Sequence, residues 1–190
     1  MPSVVPRTAI IVIALCVSIG GGWYLSNQTS DSDTLTLVSA SDPEYPTLNT
    51  NDLVEGTSLP DSTLTDASGL PVHLRTLVGK PLVLNFWYST CEPCRRELPA
   101  FAAAHEQQPE IQFVGVNMND SIEIALAFAE KYGVTFPTLF DPTGGFISQL
   151  GIATAPTTLF VDAIGNIVDQ VSGEISAEKL QQLLTQWFAA

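Results

Sequence analysis

Hydrophobic and polar positions change their pattern several times along this 190-residue chain. Ala9 to Leu25, AIIVIALCVSIGGGWYL, is apolar without a period, and residues 26–55 are rich in Ser, Thr, Asp and Asn and hold Pro43 and Pro46, with no sustained periodicity. Beyond that, short apolar runs alternate with helical patterns. Leu64 to Asp66 and Val72 to Leu74 flank a turn in which Gly69 can take a positive φ, which predicts a short β-hairpin. Leu82 to Trp87, opened by Pro81, is too short for an ordinary helix and apolar on both faces, as a central strand is. Cys94 to Gln107 carries Leu98, Phe101, Ala102 and His105 at helical spacing, with Pro93 tolerable in its first turn and Pro99 expected to kink it. Strand Ile111 to Val116, helix Ser121 to Tyr132, strand Thr138 to Phe140 and helix Gly145 to Leu150 follow. Strand Thr157 to Val161, a turn at Ala163 to Asn166, strand Ile167 to Val171 and an amphipathic helix Ala177 to Phe188 complete an α/β pattern whose last two strands should pair antiparallel.

The pattern divides the chain into an N-terminal apolar segment (1–25), a polar linker (26–55) and one domain (56–190). No charged residue lies between Arg7 and Asp31. As a helix, the apolar run extends roughly 26 Å, slightly short of a hydrocarbon layer of roughly 30 Å, which Thr8 and Ser26 can help to bridge. Arg7 before it and Asp31 and Asp33 after it predict a cytoplasmic N-terminus and an extracytoplasmic domain, with Trp23 and Tyr24 at the outer interface. The expectation is a single-pass cell-membrane anchor. A cleaved secretory signal is the alternative and exports the same domain. Leu15 stands before Cys16 where a lipoprotein signal would want Gly or Ala, so Cys16 reads as an ordinary apolar residue.

A net charge of −13 argues against nucleic acid as a partner, because phosphate backbones require a basic surface. Three cysteines with one close pair are too few to staple a scaffold, so the CxxC of Cys91 and Cys94 points to chemistry. A cysteine just ahead of a helix receives the field and free amides of its N-terminus, which stabilise a thiolate. Thiol pKa values near 8.5 fall to roughly 3.5–7.5 in such places. Cys91 is therefore the expected nucleophile, and Cys94, one turn along and shielded, acts second. Glu92 disfavours a neighbouring thiolate while Arg95 and Arg96 favour it. Glu97 lies three residues after Cys94 on the same helical face, within reach for proton exchange, although an acid in an early turn also complements the helix dipole. His73 and His105 have no second ligand nearby and read as surface or packing residues, so no metal site is expected.

The stretch LNFWYSTCEPCRRELP, followed some 60 residues later by TAPTTLFVDAIGNIV, resembles the membrane-anchored, thioredoxin-like thiol-disulfide oxidoreductases of the TlpA/ResA type, in the redoxin family. The resemblance runs from about Glu55 to Ala190. It implies a thioredoxin-like fold, a central mixed sheet flanked by helices with the hairpin as an N-terminal extension. It also implies a cis bond between Ala155 and Pro156 facing the cysteines, which leaves a backbone edge open for a partner and screens the thiols from metal. On this resemblance the catalytic residues are Cys91, Cys94 and Glu97, and the substrate-binding residues are Ala155, Pro156, Trp87, Glu92 and Pro93. Many members of the family resemble FWxxWCxxC, whereas Thr90 stands before Cys91 here, and that departure bears on redox potential and partner choice.

The resemblance implies reduction of specific protein disulfides, apocytochrome c among them as in cytochrome c biogenesis, with electrons from a membrane thiol carrier. No cofactor beyond a redox-active Cys91–Cys94 disulfide is expected. Oxidation of secreted-protein thiols is the opposite direction of the same chemistry. Readings of other classes are a copper- or metal-delivery module, a peroxiredoxin-like peroxidase and a non-catalytic adaptor. Tetrahedral zinc wants more ligands, and copper modules on this fold resemble CxxxC. A peroxidatic cysteine would be expected in a PxxxTxxC pattern, whereas Thr90 directly abuts Cys91.

Overall fold

The computed structural model describes residues 50–189. The apolar segment 1–25, Cys16 and residues 26–49 of the expected linker lie outside them. The elements are β1 (Thr63–Thr65), β2 (Pro71–His73), a 3₁₀ turn (Leu74–Leu77), β3 (Leu82–Trp87), α1 (Glu92–Gln107), β4 (Gln112–Asn117), α2 (Ile122–Lys131), β5 (Thr138–Phe140), α3 (Gly145–Gln149), β6 (Thr157–Val161), β7 (Ile167–Ser172) and α4 (Ala177–Phe188). Among the described residues no helix is long and apolar enough to cross a membrane.

One seven-stranded sheet, in the order β2-β1-β5-β4-β3-β6-β7, runs through the domain. β3 pairs in parallel with β4, and β4 with β5, because α1 and α2 make the crossovers. β6 pairs antiparallel with both β3 and β7. The hairpin joins this same sheet through an antiparallel pairing of Thr65 with Phe140, and Gly69 takes φ +80° in its turn.

β3 sits in the middle, and its alternation sorts the core onto two faces. Val83 and Trp87 join a cluster with Leu98 and Phe101 of α1 and Leu180, Leu183 and Leu184 of α4. Leu82, Leu84 and Phe86 join the opposite cluster, with Phe146 next to α3's start and Leu150 after it. Asn85 belongs by register to the α1 face, which is where a buried amide finds a helix to bond to.

Most element ends fall within one residue of the sequence expectation, and two boundaries differ by more. α1 begins at Glu92, not Cys94, and continues through Pro99, whose missing N–H falls within one helix that buries Leu98 and Phe101 on the sheet. The linker expected to reach residue 55 ends earlier: Asp52 donates its N–H to the carbonyl of Gly151 at 3.0 Å, and Val54 is buried in the α3-side cluster. Polar composition signals a tether, but Val54 supplies an apolar anchor and Asn51 and Asp52 find backbone partners.

Candidate active site

β3 delivers the chain through Tyr88, Ser89 and Thr90 to the start of α1, and Cys91 is the N-cap of that helix. The Cys94 amide donates to Cys91 Sγ at 3.2 Å, one of the helix-terminal N–H groups that would otherwise lack a partner. The two cysteines form a disulfide. Cys91 keeps 4% of its surface and Cys94 none, so Cys91 is the more accessible sulfur of the pair. Pro93 occupies the first turn of the helix, where its lost N–H costs nothing.

Glu92, on the outer side of the helix, pairs with Arg95 and, at 3.6 Å, with Arg96; Arg96 also holds Glu174 at 2.9 Å. That guanidinium keeps the Glu174 carboxyl below its usual range. The opposing influences on the thiolate seen in the sequence are thus largely engaged with one another.

Glu97 is different. It is 1% exposed, and among the described residues no salt bridge involves it. One carboxylate oxygen accepts from Asn85 Nδ2 at 2.7 Å, and the other accepts from the Ile175 amide at 2.9 Å. Burial pushes its pKa from 4.5 up to about 7; the Ile175 and Asn85 donors pull it back and Glu174 adds to the rise. Asn85 also donates to Thr158 Oγ1 at 3.1 Å, across the β3–β6 pairing. A carboxyl that gains and loses a proton near neutrality thus lies one helical turn from Cys94.

The Ala155–Pro156 bond is cis. Thr157 faces Phe86 across the sheet, so Pro156 lies beside the end of β3 from which the cysteine loop departs, and Ala155 packs against the cluster that contains both cysteines. Gly173 donates its amide to the Pro156 carbonyl at 2.8 Å. The loop Gly173–Ile175 therefore ties the proline to Glu97. Trp87, expected to touch substrate, is fully buried and stacked on Phe128 at 5.6 Å. It floors the site because its strand position points it into the core; Gly115 on β4 leaves it room, since a Cβ there would fall 2.6 Å from Trp87 Nε1. Thr90 and Glu92 are exposed and Pro93 half-buried beside the disulfide.

Several site residues carried no readable signal. Asp120 accepts from the Ser89 amide and hydroxyl, each at 2.6 Å, and from Asn117 Nδ2 at 2.8 Å, which fixes the segment entering Cys91. Ile175 acts on Glu97 through a position that only the fold supplies. Asn85 was legible in principle, as the one polar residue within LVLNFW. His105 packs edge-on against Phe113 and Phe136, and His73 contacts Thr63 Oγ1, both remote in sequence from the cysteine pair.

A sheet of this order, with an N-capping cysteine disulfide-bonded to the next turn and a cis-proline alongside, defines a thioredoxin-like protein disulfide oxidoreductase. The chain belongs to the AhpC/TSA family, which matches residues 56–170, and within it to the thiol-disulfide oxidoreductases of the ResA type. It is 30% identical over 132 residues to the thiol-disulfide oxidoreductase ResA of Bacillus subtilis (strain 168), covering 68% of this chain and 74% of that protein. Among solved structures it is similar to MTB DsbF (33% identity, TM-score 0.62, 67% of this chain and 95% of that one). A secreted Mycobacterium tuberculosis disulfide oxidoreductase homologous to E. coli DsbE is also similar (27% identity, TM-score 0.62, 66% and 96%).

Proposed function

We propose that this protein is a membrane-tethered, extracytoplasmic reductant of specific protein disulfides, working through Cys91 and Cys94 with Glu97 as the proton partner. The observation that carries the exchange chemistry is the Cys91–Cys94 disulfide at the start of α1, with the buried Glu97, its pKa pushed up to about 7, one turn beyond Cys94. In the reduced protein the Cys91 thiolate attacks a partner disulfide. A Cys91 Sγ–S bond forms, the partner's S–S bond breaks, and one partner thiolate leaves. Cys94 passes its proton to Glu97 and attacks Cys91 Sγ; the second partner thiolate departs, and the intramolecular disulfide is left. Two electrons have moved to the partner. A membrane thiol carrier returns them by the same exchange in reverse, and no other redox group is needed.

The tether reading rests on the apolar run Ala9 to Leu25 with Arg7 ahead of it. The substrate class follows the resemblance to ResA-type proteins, with a disulfide of apocytochrome c, reduced to its thiols, among the candidates. A redox titration of the Cys91–Cys94 pair tests the direction: every 30 mV is about 1.4 kcal/mol, so small changes around Cys91 decide it. A reducing potential, together with partners trapped on Cys91 in a Cys94→Ser variant, is expected. A strongly oxidising potential with efficient oxidation of an unfolded dithiol protein would favour the oxidant direction instead, and no trapped partner would count against exchange.

A further inference from the structure

The residues just ahead of the domain reach the site from the sheet face opposite α1. Asn51 uses its whole carboxamide there. Its Nδ2 donates to Thr157 Oγ1 at 2.6 Å and to Ser172 Oγ at 2.8 Å. Its Oδ1 accepts from the amides of Ala153 at 2.7 Å and Thr154 at 2.9 Å, and from Thr154 Oγ1 at 3.2 Å. The neighbouring strap is fixed as well. Val54 donates its amide to Gln170 Oε1 at 3.0 Å, and Gln170 Nε2 donates to the Asp52 carbonyl at 2.9 Å.

The loop held this way runs directly into Ala155. Among the described residues no hydrogen bond engages the amide or the carbonyl of Ala155. That residue is half-buried against the cluster containing both cysteines, so its two main-chain groups are what a peptide meets when its disulfide reaches Cys91 Sγ. An unpaired donor and acceptor beside a reactive sulfur suit an extended peptide backbone.

We infer that Asn51 is a positioning residue for protein substrates: by accepting from the Ala153 and Thr154 amides it sets the backbone edge at Ala155 on which the partner chain aligns its disulfide. The inference rests on the dithiol exchange proposed above. Ala153 and Thr154 are exposed, so water can replace Asn51 as their acceptor, and its loss costs the fold little. A freed loop must instead be ordered whenever a peptide binds, which weakens binding without altering the thiols. A small disulfide that makes no backbone contacts is indifferent to the change.

The test compares the reduced full-length chain in detergent with its Asn51→Ala variant in single-turnover reactions. One substrate is a disulfide-linked peptide dimer and the other is glutathione disulfide. The half-saturating peptide concentration should rise about tenfold, while the limiting rate, the glutathione reaction and the Cys91–Cys94 potential stay unchanged. An unchanged peptide concentration dependence would overturn the inference, as would parallel losses on both substrates or a shifted potential. Asn51→Asp keeps the acceptor and removes both donors. It should bind peptide within about twofold of the wild type, and this variant decides the matter if the alanine protein does not fold; an aspartate as impaired as alanine overturns the acceptor role. A wild type that reduces neither disulfide removes the exchange reading and this inference together, whereas one that reduces both and is matched by Asn51→Ala removes only the role of Asn51.

Discussion

The two sides of α1 treat a carboxylate in opposite ways. On the outer side Glu92 is solvated and shared between Arg95 and Arg96, so its charge is screened by water and by two cations. On the inner side Glu97, five positions further along, is 1% exposed, and its hydrogen-bond donors among the described residues, Asn85 and the Ile175 amide, are both neutral. The same functional group therefore sits in a solvated ion pair in one place and, where it is buried, has its pKa pushed up to about 7 in the other. Helical periodicity does the sorting: Cys94, Glu97, Leu98 and Phe101 share the inward stripe, and Glu92, Arg95 and Arg96 share the outward one.

The largest effect should come from adding a second acid to the inner side. Asn85→Asp would place another carboxyl against Glu97 with no cation to share. At pH 8, where both tend to ionise, it should destabilise the fold by at least about 3 kcal/mol in urea titrations, with most of the loss recovered at pH 5. Equal stability loss at both pH values would mean that packing, not charge, governs this face.

Glu97 alone should make the wild type pH-sensitive. Its pKa is raised in the folded state, so the native protein binds the proton more tightly than the unfolded chain. Stability is greatest below about pH 4.5 as far as this group is concerned, falls through the interval between 4.5 and about 7, and is fully reduced above it. The difference between pH 5 and pH 8 is about 2.5 kcal/mol. Glu97→Gln should flatten that slope and remove the ionisation near 7 from the pH profile of exchange; a slope that survives the substitution assigns it to another group.

The smallest effect belongs to the outer side. Glu92→Gln should leave the unfolding midpoint unchanged between pH 5 and 8, because an exposed ion pair contributes little and water solvates what remains. A loss comparable with that of Asn85→Asp would break the contrast between the two sides.

The disulfide pair at the start of α1 was readable because CxxC ahead of an amphipathic pattern is a local arrangement, as is Glu97 at i+3 from Cys94. Strand and helix types followed for the same reason, since periods of 2 and 3.6 residues are set by neighbours in the chain. A large aromatic next to a reactive loop can point either way, and only the β3 register and the space over Gly115 turn Trp87 inward. Asn51 was hidden inside a polar stretch that composition reads as tether, more than a hundred residues from the loop it holds.

What the chain determined by itself is the alternation of elements, the reactive pair at a helix start and the inward stripe that includes Glu97. All of these depend on spacings of a few residues, where backbone geometry leaves few choices. The fold alone decided which groups surround them: Asn85 and Ile175 on Glu97, Asp120 under Ser89, Pro156 beside the disulfide and Asn51 behind its loop. Those contacts join β3 and α1 to segments that lie between the regular elements and far apart in the chain, and their consequence, a carboxyl moved to about 7, arises from burial and partner geometry that no local pattern encodes.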